Sequence, residues 1–185
     1  MIFITPDNFN DYFIIEKLNV EHHIDGFDDD DENEYTLFLR QDALKHQESH
    51  ISNTFVLIER ASLKIAAYIS LVADAVTLQD DEKARLIIPE ITFETLPALK
   101  IAKLAVAKKM GLSYRHLGSL MINFARNIAD QCNERFIACR VLTVDADIEY
   151  NESLPIFYEK NGFIALHSKK YTKKTRTLPM WTDIY

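Results

Sequence analysis

Along the chain the spacing of apolar residues changes repeatedly, and each change predicts a different element. Ile2, Phe3 and Ile4 read as a short strand ended by Pro6, with Asp7 or Asn8 placed to cap an amphipathic segment running to Leu18. From Glu34, apolar Leu37, Leu39, Ala43 and Leu44 alternate helically with Arg40, Asp42, Lys45 and His46, which predicts a surface helix over residues 34–49. Residues 54–58 and 63–72 are rich in β-branched and aromatic side chains and flank residues 59–62, the pattern of an antiparallel hairpin. Residues 78–83 read as a solvated loop, and residues 99–107 as a central strand.

The strongest helical signal follows. Leu117, Leu120, Met121, Phe124, Ile128 and Cys132 form one apolar face, with Ser119, Asn123, Arg126, Asn127 and Asp130 outward. A buried strand is predicted over residues 136–144 and a polar connection over 145–151. A short helix then begins at Ser153 with Pro155 in its first turn and stops at Gly162, where a left-handed residue is needed. Residues 163–167 and 178–185 read as two further strands. The expected fold is α/β (α+β): a mostly antiparallel sheet flanked by helices, with one helix joining residues 99–107 to 136–144 as parallel strands.

Length and composition narrow this picture. A chain of 185 residues is expected to be a single domain, residues 1–185, with a core large enough to need no disulfide or metal staples. Two cysteines are too few for a secreted disulfide framework and no leader pattern opens the chain, so the cytosol (a cytoplasmic protein) is the expected location. Apolar runs are strand-sized, which argues against a membrane partner.

Net charge is −7, unevenly spread. Thirteen acids, including the run Asp28, Asp29, Asp30, Asp31 and Glu32, stand in residues 1–50 against Lys17, Arg40 and Lys45, a local −10 that leaves +3 for the rest. Lys103, Lys108, Lys109, Arg115 and Arg126 fall in an acid-free stretch, and residues 169–176 add five more bases. Two basic patches in an acidic chain fit a phosphorylated cofactor or one docked RNA better than broad nucleic-acid coating.

Candidate chemistry gathers where the long helix starts. Unpaired backbone N–H groups and the positive end of the helix dipole attract phosphate there; Gly111, Ser113, Gly118 and Ser119 keep the approach open, and Lys108, Lys109 and Arg115 add charge. Other clusters read as bland. His46 and His50 have helical ligand spacing but no third ligand, His22 and His23 lie at the surface, Cys132 and Cys139 are thiols too far apart for a redox or zinc motif, and the acidic run lacks calcium-loop spacing. No metal site is expected.

Two stretches, Lys103-Leu-Ala-Val-Ala-Lys-Lys-Met-Gly-Leu-Ser-Tyr-Arg-His-Leu-Gly-Ser-Leu-Met-Ile122 and Asn151-Glu-Ser-Leu-Pro-Ile-Phe-Tyr-Glu-Lys-Asn-Gly-Phe163, resemble the GNAT superfamily of acetyl-CoA-dependent N-acetyltransferases. The second matches the family's ending: an Asn, then a helix with an aromatic-Tyr pair and a Gly-Phe stop. In the first, Ser113 and His116 stand where the family usually has Gln or Arg and then Gly, and only Gly118 keeps the pattern; the diphosphate contacts, being mainly backbone N–H groups, are expected to survive this, the His116 Cβ being the one feature able to crowd or reshape the loop. Residues 33–48 and the ending Thr177-Leu-Pro-Met-Trp-Thr-Asp-Ile184 also look like a bacterial branch that includes the tRNA-acetylating toxins of toxin–antitoxin modules.

The resemblance implies a set of roles. Acetyl-CoA is the cosubstrate. Leu104, Ala105 and Val106 lie beside its pantetheine arm, with the Val106 amide donating to the thioester carbonyl. Residues Ser113, Tyr114, Arg115, His116, Leu117, Gly118 and Ser119 form the diphosphate turn, Asn151 is on the cofactor side, and Tyr158 is the general acid to the departing thiolate. The acceptor is a primary amine, on a small molecule or a macromolecule. Its proton acceptor is not named by the sequence, Glu94 and His46 being the candidates. A toxin-like enzyme would acetylate aminoacyl-tRNA and have an antitoxin protein as partner; a non-catalytic acyl-CoA-binding or interaction protein is the reading from another class. A homodimer through the final strand is a further expectation.

Overall fold

The computed structural model describes residues 1–27, 33–86, 94–168 and 176–185. The acidic run at 28–32 and the bases at 169–175 lie outside the described residues. Strands β1 (Ile2–Phe3), β2 (Phe13–Lys17), β3 (Asn53–Glu59), β4 (Ile65–Thr77), β5 (Thr95–Val106), β6 (Tyr114–Arg115), β7 (Val141–Asp147), β8 (Ile164–Ala165) and β9 (Thr177–Asp183) are joined by helices α1 (Phe9–Tyr12), α2 (Glu34–Leu37), α3 (Ala43–Glu48), α4 (Asp80–Lys83), α5 (Lys108–Ser113), α6 (Leu117–Arg135) and α7 (Leu154–Lys160). Seven strands form one sheet in the order β2-β3-β4-β5-β7-β9-β8, and β1 pairs with β6 in a separate two-stranded piece. The expected mixed, mostly antiparallel architecture is what is found. The predicted crossover is present too: α6 joins β5 to β7, whose ladder is parallel from Ala98↔Val141 to Ile101↔Val144.

The chain divides into two compact units, Met1–Val72 with Ala102–Phe124, and Ala73–Ile101 with Ala125–Tyr185. In the first, the predicted hairpin pairs β3 with β4, and β2 adds on the far side of β3, Phe13↔Glu59 to Lys17↔Phe55. The core of this unit gathers Leu18, Phe27, Leu39, Ala43, Val56, Tyr68 and Ala107. The helix expected over 34–49 is one continuous helical run, α2 passing through a π turn (Phe38–Asp42) into α3, and it buries Thr36, Leu39 and Ala43. In the second unit, β7 and β9 pair antiparallel from Val141↔Asp183 to Asp147↔Thr177, and Val76, Leu78, Leu86, Leu96, Ala98, Val141 and Trp181 form a second cluster.

Several expectations are corrected. The amphipathic segment from Asn8 to Leu18 is one helical turn followed by a strand, because the β-branched pair Ile14 and Ile15 is pulled into the ladder with β3. Asn8 stands at the cap of that turn, but its Oδ1 accepts the Thr5 N–H (2.8 Å) instead of a helix N–H. Residues 78–83 are not a solvated loop: α4 sits there behind a Gln79/Glu82 capping box, with Leu78 and Glu82 each 2% exposed. The Glu82 carboxylate accepts the Gln79 and His167 backbone N–H groups and the His167 ring, and these hydrogen bonds, with the nearby imidazole, outweigh burial and hold its pKa below the usual glutamate range. The strand predicted at 136–144 begins only at Val141 and runs on to Asp147, while Phe136 and Ile137 are 82% and 70% exposed. In the sheet β9 lies between β7 and β8, with β8 paired to it at Trp181 and Met180.

The face of α6 is shifted as well. Leu117 and Met121 are buried as expected, yet the fully buried positions beyond them are Ile122, Ala125 and Ala129, with Leu120, Phe124 and Ile128 only half-buried. Small side chains mark the line where a helix backbone approaches its neighbours most closely, a signal that hydrophobicity counting underweights. Replacing Ala129 by Leu should therefore destabilise the protein by about 1–3 kcal/mol through overpacking, whereas Asn127→Ala on the exposed face should change stability by less than about 0.5 kcal/mol; urea unfolding of the two variants checks the assignment.

Candidate acyl-CoA site

Strand β5 supplies the first part of the site. Its ladder with β7 covers Ala98 to Ile101, and the strand runs on through Leu104, Ala105 and Val106, all half-buried. The next backbone N–H, that of Ala107, donates to Ala66 O at 2.9 Å. Helix α5 then folds back: Gly111 N–H donates to Ala107 O (2.8 Å), and a Cβ at Gly111 would stand 3.7 Å from Val106 Cγ1.

The turn into α6 is set by His116, which holds φ +68. A left-handed backbone is uncommon for a residue with a Cβ, and this is the position where the resembling family carries glycine. The histidine takes up the glycine conformation; it does not block it. Its ring packs 5.7 Å from that of Phe3, and β1 pairs in parallel with β6 just before the turn, Ile2↔Tyr114 and Phe3↔Arg115. His116 O accepts the Leu120 N–H at 2.9 Å, so His116 is the cap residue and the N–H groups of Leu117, Gly118 and Ser119 belong to the first turn, which has no intrahelical partners. That is the anion-receptive geometry expected for a diphosphate.

Side chains around the turn are less available than the sequence implied. The Tyr114 hydroxyl donates a short hydrogen bond to the Glu59 carboxylate, and its ring packs edge-on against Phe13 at 4.9 Å and Tyr12 at 5.9 Å. The carboxylate bond, with burial, pushes the Tyr114 pKa up to about 12. Tyr114 is an anchor of the turn. Its partner Glu59, 55 residues away, carries no sequence signal for that role. Ser113 Oγ donates to Lys109 O (3.2 Å), and Arg115 Nε donates to Met1 Sδ (2.9 Å). Nor is the whole basic stretch a free patch: Lys103 pairs with Glu34 at 2.5 Å, while Arg126 is half-buried, donates to Asn161 O at 2.6 Å and has its pKa lowered by burial. Of the bases near the C-terminus, Arg176 pairs with Glu149 at 2.9 Å.

Asn151 and Tyr158 belong to the second unit. Asn151 is exposed and organises the start of α7: its Oδ1 accepts the Ser153 N–H (2.9 Å) and hydroxyl (2.7 Å), and its carbonyl accepts the Leu154 N–H (3.0 Å). Ser153 makes no capping bond itself, so the predicted cap is delivered by Asn151. Tyr158 is 6% exposed, edge-on between Phe157 (5.1 Å) and Phe163 (5.4 Å). Its hydroxyl makes no hydrogen bond to the described residues, and burial pushes its pKa above the ordinary phenol value. Gly162 ends the helix at φ +86, as predicted. Of the two candidate bases, His46 packs its ring 5.4 Å from Phe38 and Glu94 is exposed. Cys139 is buried, which drives its thiol pKa up to about 11, and Cys132 is half-buried; both are free thiols.

Two outcomes follow from the turn. His116→Gly removes the Cβ from a left-handed residue and should leave stability unchanged or raise it by up to about 1 kcal/mol, while His116→Val should lower it by more than that; thermal melts check the difference. Tyr114 titrates higher folded than unfolded, so its contribution is complete below about pH 10 and is lost as pH rises through about 12. Tyr114→Phe should accordingly cost about 1.5 kcal/mol at neutral pH, the scale of a hydrogen bond to a charged group, and the gap between the two proteins should close in melts taken above pH 11.

No family model matches the chain, and no curated protein matches it. Solved structures do. A Tyr→Phe mutant of KacT superposes with TM-score 0.72 at 17% identity, covering 94% of this chain and 95% of that one. AtaTR bound with acetyl-CoA gives 0.66 at 18% identity over 94% of each chain, and AtaT complexed with acetyl-methionyl-tRNAfMet gives 0.68 at 20% identity over 90% of this chain and 93% of that one. Strand order and these superpositions lead to one conclusion: the chain has the GNAT fold, in the form shared by KacT and the toxin AtaT.

Proposed function

We propose that this protein is an acetyl-CoA-dependent N-acetyltransferase that transfers the acetyl group directly to a primary amine. The observation that carries the reading is the backbone at His116: φ +68, in the left-handed region that glycine favours, opens a helix whose first-turn N–H groups suit a diphosphate. Acetyl-CoA, when bound, supplies a thioester activated for attack by an amine. The N–H groups of Leu117, Gly118 and Ser119 would hold the diphosphate, and Leu104, Ala105 and Val106 would lie along the pantetheine arm. The Val106 N–H would donate to the acyl oxygen as negative charge develops there, a donor worth about 10² to 10³ in rate.

Tyr158 is the group that protonates the leaving sulfur in this reading. Its raised pKa keeps a proton on Oη at neutral pH, and no described residue claims that proton. Proximity of two bound substrates supplies much of the remaining acceleration. The alternative macromolecular acceptor is an aminoacyl-tRNA, the one to test first because AtaT, of like fold, is seen with acetyl-methionyl-tRNAfMet; AtaT bound to the C-terminus of the antitoxin AtaR makes a protein antitoxin the partner to seek.

Coenzyme A release measured against polyamines, amino acids, peptides and charged tRNAs identifies the acceptor. Tyr158→Phe should lower turnover about 10²- to 10⁴-fold with acetyl-CoA affinity unchanged. Turnover unaffected by the substitution removes Tyr158 from the mechanism, and no release with any acceptor, alongside normal acetyl-CoA binding, leaves an acyl-CoA-binding protein.

A further inference from the structure

One ammonium group in the first unit is held as a ligand would be. Lys103 Nζ lies 2.5 Å from Glu34 Oε1 and 4.6 Å from the centroid of the Tyr35 ring, so a carboxylate and an aromatic face grip the same cation. An exposed ion pair alone signifies little, but the two gripping residues are fixed. Asn33 Oδ1 accepts the N–H groups of Tyr35 (2.9 Å) and Thr36 (3.0 Å), and the hydroxyl of fully buried Tyr68 donates to Tyr35 O at 2.8 Å. Thr36, next in the chain, is 1% exposed. The cage is therefore part of the core's rim, while its occupant hangs on a flexible four-carbon stem. With side-chain exposures of 27% for Lys103 and 45% for Glu34, the ion pair is reached by solvent.

Its position gives it meaning. Lys103 immediately precedes Leu104, Ala105 and Val106 on β5. An alkylamine, with a reference pKa near 10.4, reaches the protein as an ammonium ion, chemically the same as the group now held there. Exchange of one ammonium for the other leaves the carboxylate paired throughout, which avoids the cost of an uncompensated charge. We infer that Glu34 and the Tyr35 ring form the ammonium-recognition subsite for the acceptor amine, and that Lys103 is its resident stand-in, displaced when acceptor binds. The assignment rests on the acetyltransferase reading for the role of the ligand, and on geometry alone for the site.

The test titrates n-butylammonium, without acetyl-CoA, into the wild-type protein, Lys103→Met, Lys103→Gln and the double variant Lys103→Met/Glu34→Gln by isothermal calorimetry, with circular dichroism confirming the fold of each. Vacating the cage should tighten binding at least tenfold in either single variant, and removing the carboxylate as well should abolish the gain. Binding no tighter in both single variants, or equally tight in the double variant, overturns the inference. In parallel, coenzyme A release with n-butylamine should show the KM falling in Lys103→Met by the same factor, with kcat within about twofold; a KM that does not move overturns the acceptor role. Tighter calorimetric binding in a protein that acetylates no amine would sink the acetyltransferase reading and leave the ammonium cage standing.

Discussion

A single backbone torsion governs how this fold enters its long helix. With φ +68 at His116, the chain turns sharply from β6 into α6, and the first-turn N–H groups of a nineteen-residue helix emerge together. A residue with a Cβ adopts this conformation less readily than glycine, and at His116 the surroundings favour it. Those surroundings are visible: β1 pairs with β6 on the approach, the Phe3 ring lies against the imidazole, and Tyr114 is bolted to Glu59 and packed on Phe13. The rigidity that glycine would have made unnecessary is supplied by neighbours.

Electrostatics in this protein is local. A count of Lys and Arg suggested a strip of +5 before and along α6, but Lys103 is neutralised by Glu34 and Arg126 is turned inward onto Asn161 O. The formal charge of a segment overstates its field when its bases are already engaged. The same pairing that removes Lys103 from the basic patch makes it informative, because an ammonium held by both a carboxylate and a ring reports a cage with a definite chemical preference.

Tyr158 and Tyr114 show how two phenols diverge. Both have raised pKa values, but the causes differ: burial among Phe157 and Phe163 for Tyr158, and a carboxylate partner for Tyr114. A phenol bonded to a carboxylate has committed its proton to a structural contact. A buried phenol with no hydrogen bond to the described residues has made no such commitment among them.

The amino-acid pattern by itself determined the hairpin β3–β4, the helical run from Glu34 to Glu48, the crossover through α6, and the stop at Gly162, because each rests on local periodicity or on the backbone freedom of one residue type. It also carried the candidate residues from Leu104 to Ser119, which are contiguous and so are positioned largely by their own turn. What it missed depended on partners distant in the chain. The start of β7 at Val141, the burial of Ala125 and Ala129 and the sinking of Glu82 are decided by what packs against them. Glu59 under Tyr114 and Glu34 beside Lys103 are 55 and 69 residues from their partners. Only tertiary structure could choose those pairs, since the free energy of a buried or shared charge is fixed by the group that meets it and not by its neighbours in sequence.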